Sequence, residues 1–334
     1  MAYSSGGLIQ ATDYNGFVSN TSNANINDIW ATGAGDKGYG QSSLATVPVG
    51  GVVTAAQWAT LVNTISSIAN HQGTSITPRT APTVGNIISI LNDINTDINA
   101  LTVNRGRAAA VGAVISDFSG TVSKTAATAS GAAAWSITFT QTITFASANA
   151  ARYFFNAGGL VKIMYGKTST GTDHDPDWNQ LVAWAGDIYF TGRVAGTSQV
   201  IAGTTYTGTN RTGGTGGTQT TLSTTTGFYN LTPGAAALTL FQLNNSAAPY
   251  TPEFIRTQVS LNAGGNILTF TTVWFDDGTA AAGTTSAISG GTATTSPATS
   301  ITGTAPTTLI NLIAPSTSHL SASWGTPAIA SSVV

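Results

Sequence analysis

The hydrophobic period of this chain changes near residue 110, from helical spacing before it to alternation after it, and that switch limits the fold more than any motif does. In VTAAQWATLVNTISSIANHQG, the residues Trp58, Leu61, Val62, Ile65, Ile68 and Ala69 recur at helical spacing. Thr54 stands where an N-cap belongs and Gly73 where the helix should stop. The segment predicts one amphipathic helix of about five turns. Downstream, APTVGNIISILNDINTDINALTVNRG places Val84, Ile87, Leu91, Ile94, Ile98 and Leu101 at alternating steps of three and four, a heptad seam with Asn and Asp at the other positions. Two arrangements bury such a seam: an antiparallel bundle with the preceding helices, or a short homo-oligomeric coiled coil. Upstream, Phe17, Val18, Ile26, Ile29 and Trp30 mark a further helical stretch, which the weakly helical SNTSNAN divides and a Gly-rich loop follows.

Beyond residue 110 the pattern is that of strands. WSITFTQTITF sets Trp135, Ile137, Phe139, Ile143 and Phe145 against Ser136 and four threonines, with only Gln141 breaking the apolar row. RYFF and LVKIMY flank Asn156-Ala157-Gly158-Gly159, which reads as a β-hairpin turn. Asn262-Ala263-Gly264-Gly265 repeats those four letters between EFIRTQVSL and NILTFTTVWF, suggesting a repeated sheet element. Aromatic neighbours in RYFF and LVKIMY would face opposite sides of a strand, so both faces of this hairpin need cover. DIYFTG, GFYNL, ALTLFQLN and TLINLIA are further expected strands. Between them run Thr/Gly/Ala tracts, such as TGTNRTGGTGGTQTT, that read as long loops.

Composition bears on function. Only 7% of the residues are charged, against roughly a quarter in ordinary soluble domains. A net charge of −2 gives no basic field for nucleic acid, and neither a secretory signal nor a membrane-spanning run is visible. Without cysteine, disulfides, thiolate zinc sites and cysteine nucleophiles are excluded. The three histidines, His71, His174 and His319, are scattered. No nucleophile elbow, phosphate loop or zincin motif occurs. TDHDPDWNQLVAWAG offers Asp173, Asp175 and Asp177 as calcium candidates through their hard oxygens. The competing reading makes Asp175 an N-cap, Pro176 the first helical residue, and Trp178, Leu181, Val182 and Ala185 the buried stripe of a short helix. Asp276-Asp277-Gly278 reads as a turn. A glycosidase needs two placed carboxylates, and 13 acids in the whole chain leave few for that work. Trp135, Trp184 and Trp274 sit in strand or helix patterns where burial is expected.

The phrases GLIQATDYNGFV, IWATGAGDKGYGQ, VTAAQWATLVNTISSIANHQG and ARYFFNAGGLVKI together resemble virion structural proteins of tailed bacteriophages, particularly tail, fibre or neck components of marine and cyanobacterial phages. The likeness covers roughly residues 1–195 and the segment near 253–278. It implies a helical start that docks or oligomerises, a β-rich remainder that builds the appendage, location in the virion, and no catalytic residues or cofactor.

The resulting expectation is an α+β chain, with an N-terminal helical region followed by antiparallel β-sandwich-like units with long Thr/Gly-rich loops. Its parts are a helical docking region at 1–105, a sandwich-like domain with a short helix at 106–200, and a β-rich distal region at 201–334. Expected partners are other copies of itself, as a homotrimer or alternatively a hexamer, other virion proteins, and a host surface glycan or receptor. Neither nucleic acid nor membrane is expected. An adhesin at an appendage tip, a capsid decoration protein and a sugar depolymerase are the rival readings. The residues assigned to structure and assembly are Ile87, Leu91, Ile94, Ile98 and Leu101 of the seam, and Asn156, Gly158, Gly159, Asn262, Gly264 and Gly265 of the two turns. Gly158→Val is expected to break folding or assembly.

Overall fold

A computed structural model of the chain describes residues 10–20, 22–85, 91–115, 135–168, 174–193, 198–246, 251–276 and 306–334. The first helical stretch is divided as its sequence predicts, into α1 (Ala11–Val18) and α2 (Ile26–Trp30). Asn25 starts the second helix because its side chain accepts a hydrogen bond from the Asp28 amide at 3.0 Å. Helix α3 (Ala55–Gln72) opens on a capping box in which Thr54 Oγ1 accepts from the Gln57 amide and Gln57 Oε1 from the Thr54 amide. It stops at Gly73, whose φ of 67° is left-handed. Its buried stripe is the expected one, Trp58, Leu61, Val62, Ile65, Ile68 and Ala69.

Helix α4 (Leu91–Val103) carries the seam. Ile94, Ile98 and Leu101 are wholly buried, and α4 packs on α1, α2 and α3 of the same chain. The described part of the seam is therefore closed by intrachain packing and is not available as a coiled-coil interface. The reason is economy of surface: four helices each have one apolar side to bury, and they bury it on one another. Val84 lies before the helix and is 94% exposed, while Ile87 and the side chain of Leu91 fall outside the described residues.

The remaining elements, in order, are β1 (Arg107–Ala108), β2 (Val111–Ile115), β3 (Trp135–Thr144), α5 (Ala148–Asn156), β4 (Leu160–Gly166), α6 (His174–Ala185), β5 (Asp187–Phe190), β6 (Gln199–Ile201), β7 (Thr204–Tyr206), β8 (Thr209–Thr212), β9 (Thr218–Leu222), β10 (Leu238–Asn244), β11 (Phe254–Leu261), β12 (Ile267–Asp276), β13 (Thr307–Pro315) and β14 (Ala328–Val333). Six form an antiparallel sheet in the order β14-β3-β12-β11-β10-β9, and five form another in the order β2-β13-β4-β5-β8. A small third sheet pairs β1 parallel to β6 and β6 antiparallel to β7.

The two large sheets face each other as a sandwich. Phe190 of β5 meets Phe270 of β12 edge-on, and Tyr165 of β4 stacks on Phe241 of β10. A line of polar groups crosses the apolar interior. Gln141 Nε2 donates to the Thr308 carbonyl at 2.6 Å, Trp274 Nε1 donates to Thr308 Oγ1 at 3.1 Å, and Tyr165 Oη lies 2.7 Å from Thr257 Oγ1. Gln141, the break in the apolar row, thus bridges the sheets by satisfying a buried carbonyl.

The α+β class stands, with four departures in detail. TGTNRTGGTGGTQTT, expected as a loop, holds β8 and most of β9, because its threonines and Asn210 pair with β5 and β10 at the sheet edges. RYFF is not a strand: it lies on α5, which Ser147 caps by accepting from the Ala150 amide at 3.1 Å. Ala150 and Phe154, and Ala151 and Phe155, fall one turn apart on its buried side, and four residues were too few to separate that period from alternation. GFYNL forms a 3-10 turn at Phe228–Asn230, not a strand. Both large sheets also take strands from either side of residue 200, so the segments 106–200 and 201–334 build one sandwich together.

Candidate assembly site

Among the described residues, one side of the sandwich is sewn shut and the other is open. On the closed side the Thr209 amide, in β8, donates to the Ser223 carbonyl just past β9 at 3.3 Å, and Thr209 Oγ1 donates to the Thr226 carbonyl at 2.8 Å. On the open side the outermost strands are β14 and β2, beyond β3 and β13, which the Gln141–Thr308 bond joins across the core.

The geometry of β14 says which of its backbone groups are unpaired. Val334 and Thr138 exchange both amide bonds, at 3.0 and 2.9 Å. By the alternation of an antiparallel ladder, Ile329, Ser331 and Val333 aim their N–H and C=O groups away from β3. Among the described residues nothing pairs with them. The strand, AIASSV, holds no charge and no proline, and its pairing with β3 has no register shift. Lysine, proline and bulges are the usual protections of a sheet edge. On β2, Val111 and Val114 are 41% and 55% exposed, although a register shift opposite Pro315 interrupts that edge.

The sequence-assigned turns lie elsewhere and differ from each other. In the first, the Asn156 amide nitrogen donates to the carbonyls of Lys37 and Gly38 at 2.9 and 2.8 Å, and its Oδ1 accepts from Tyr229 Oη at 2.5 Å. Gly158, at φ 93°, packs against Ala108 and Ile201. Gly159 passes beneath the Phe154 ring. In the second, Asn262 Oδ1 accepts from the amides of Asn266 and Ile267, and Gly265 takes φ 69° to close the β11–β12 hairpin. Of the calcium candidates, Asp173 and the side chains of Asp175 and Asp177 fall outside the described residues. Helix α6 begins at His174, one residue before the expected cap, and buries Trp178, Leu181 and Ala185. Of the tryptophans, Trp274 is buried against Trp178 and Trp184 is partly buried. The side chain of Trp135 is outside the described residues. Among the described residues no three His, Asp or Glu side chains converge on a metal-sized site. No described helix is long and apolar enough to cross a membrane.

Sequence reasoning missed the loop that joins helices to sandwich. Asp36 Oδ2 accepts from Arg105 at 2.8 Å and from Arg193 at 2.9 Å, tying the end of the helical region to the segment after β5. Burial alone would raise the Asp36 pKa, but the two guanidinium groups outweigh it and hold the carboxyl below the usual range. Arg152 of α5 donates to the carbonyls of Thr32 and Gly35, and Gln41 exchanges bonds with Ser321 near the C-terminus. The signal available was scarcity: with 24 acidic and basic residues in the chain (11 + 13), a lone Asp-Lys pair inside a glycine-rich loop is a candidate anchor. His71 sits beneath this loop, edge-on to Tyr39 at 5.1 Å. Burial, helped by the charge of His319, lowers its pKa to about 4, against a smaller opposing pull from the Ala157 backbone. Comparison of the chain with models of protein families, with curated proteins and with solved structures finds no match.

Proposed function

We propose that this chain is a non-enzymatic structural protein of a tailed-phage virion, in a tail, fibre or neck appendage, acting by association with copies of itself. The observation that carries the assembly part is the outer edge of β14, unpaired among the described residues. Three outward amides and their carbonyls on an uncharged strand are a template for another strand, and each net hydrogen bond gained contributes about 1 kcal/mol. The phage assignment rests on the phrases named above.

The placement of the edges favours one symmetry. Both β14 and β2 border the same side of the sandwich. An isologous contact about a two-fold axis covers that side in both copies at once, and an uncharged strand does not repel its own image. The assembling unit is then a dimer, and of the trimer and hexamer expected from the sequence, a hexamer made of three such dimers contains it.

Antibody raised against the chain should decorate intact phage particles, and the chain should appear in the protein content of purified virions. Its confinement to the soluble fraction of lysed hosts, with none on particles, would overturn the assignment.

A further inference from the structure

From a cleft in the helical region, we infer a second site, for a neutral sugar ring. It is independent of the sheet edge. The cleft, of about 450 Å³, opens between α1, the end of α2, the segment 42–45 and the first half of α3. That volume falls at the small end of ligand pockets, which run roughly 300–1,000 Å³.

The lining side chains are all uncharged, so nothing in the cleft favours an ion. Several have hydrogen-bonding capacity with no taker. Tyr14 is 1% exposed, yet its hydroxyl forms no hydrogen bond among the described residues. Its ring is fixed edge-on against Trp58 at 5.5 Å. Thr64, 6% exposed, is in the same position: a hydroxyl at the cleft with no bond to the described protein. Gln57 has its Oε1 engaged by the Thr54 cap, which leaves its amide N–H groups as donors. Ser42 and Ser43 add exposed hydroxyls at the mouth, and Trp30 contributes an indole.

Neither oxygen is among the buried side-chain atoms left without a partner, so both open onto the cleft, where a ligand hydroxyl can take the place of water. Aromatic wall, hydroxyl floor and absence of charge together are the complement of a pyranose, which presents an apolar C–H face and a rim of neutral hydroxyls. An anionic sugar or a phosphate would find no cation there. A purely apolar ligand would leave Tyr14 and Thr64 unanswered.

The test is ligand-observed NMR on the full chain, with a panel of neutral hexoses, N-acetylhexosamines and their disaccharides, and with sialic and uronic acids as charged controls. At least one neutral sugar should bind with a Kd in the millimolar range or tighter. Tyr14→Phe removes only a hydroxyl with no protein partner, so it should leave the thermal unfolding profile in place and weaken binding about tenfold. Ser42→Ala, at the exposed mouth, should weaken it less. The inference is overturned if no neutral sugar binds at 10 mM (about −3 kcal/mol of standard binding free energy). Preference for the charged controls, or neutral-sugar binding unaltered in both variants, overturns it equally.

Discussion

Asn156-Ala157-Gly158-Gly159 and Asn262-Ala263-Gly264-Gly265 are the same four letters in two different jobs. The first ends helix α5, with the Ala157 amide bonded to the Tyr153 carbonyl at 3.0 Å and the Gly159 amide to the Phe154 carbonyl at 2.8 Å. The second turns a hairpin, with the Gly265 amide bonded to the Asn262 carbonyl at 2.9 Å and the Asn262 amide to the Ile267 carbonyl at 3.0 Å. In each, one glycine supplies a left-handed residue, the third position in the first turn and the fourth in the second. The neighbours decide the rest: a capped helical segment, ANAARYFF, precedes one turn, and an eight-residue alternating strand precedes the other. The first is also buried at the meeting of helices, loop and small sheet, whereas Ala263 and Gly264 of the second stand in solvent.

That contrast can be broken by substitution. Gly158→Val should do most damage. A Cβ there would lie 2.6 Å from the Ala108 Cβ at a φ of 93°, combining backbone strain with overpacking, for about 4 kcal/mol. Urea unfolding, or failure to obtain folded protein, reads it. Acid comes next, because it reaches the first turn through His71. Its pKa of about 4, set against an ordinary 6.5, means that the fold requires the neutral ring. Stability is complete above pH 6.5 and falls as pH drops towards 4, since the unfolded chain takes up a proton that the folded one refuses, a loss of about 3 kcal/mol. Hydrogen exchange at Ala157–Gly159 should quicken over that window before exchange at Asn262–Gly265 does.

Asn156→Ala removes both bonds to the Lys37 and Gly38 carbonyls and leaves the Tyr229 hydroxyl unanswered, which should cost about 2 kcal/mol in urea unfolding. Gly265→Val marks the lower end. Its φ of 69° is unfavourable for valine, but the added Cβ meets only Ala148, at 3.2 Å, in a hairpin tip that can give. About 1–2 kcal/mol, read as a small fall in Tm, is expected. Equal losses for the two valine variants would erase the distinction between the turns.

The legible parts of this molecule were those written in local patterns. Thr54, Gly73 and the Trp58 stripe announced α3, and alternation announced β3, β11 and β12. Helix α5 was hidden because RYFF is short and aromatic, fitting either period, while its cap at Ser147 lies outside that window. Scarcity of charge could mark Asp36 as an anchor but not name its partners, because Arg105 and Arg193 come from distant parts of the chain and nothing local links them to a glycine-rich loop. The seam was seen but not its partner: periodicity shows that a stripe must be buried, and only the packing shows that α1, α2 and α3 bury it. The open edge of β14 follows from sheet order, which six strands drawn from three stretches of sequence do not disclose in advance.

The central claim, assembly through that edge, is tested most directly by light scattering on the wild-type chain and on Ser331→Pro. Proline at 331 deletes an amide that points away from β3, so the intrachain ladder loses no bond. An even-numbered oligomer in the wild type, and a monomer with unchanged circular dichroism in the variant, is the predicted result. A monomeric wild type, or a variant that assembles as the wild type does, would contradict the account.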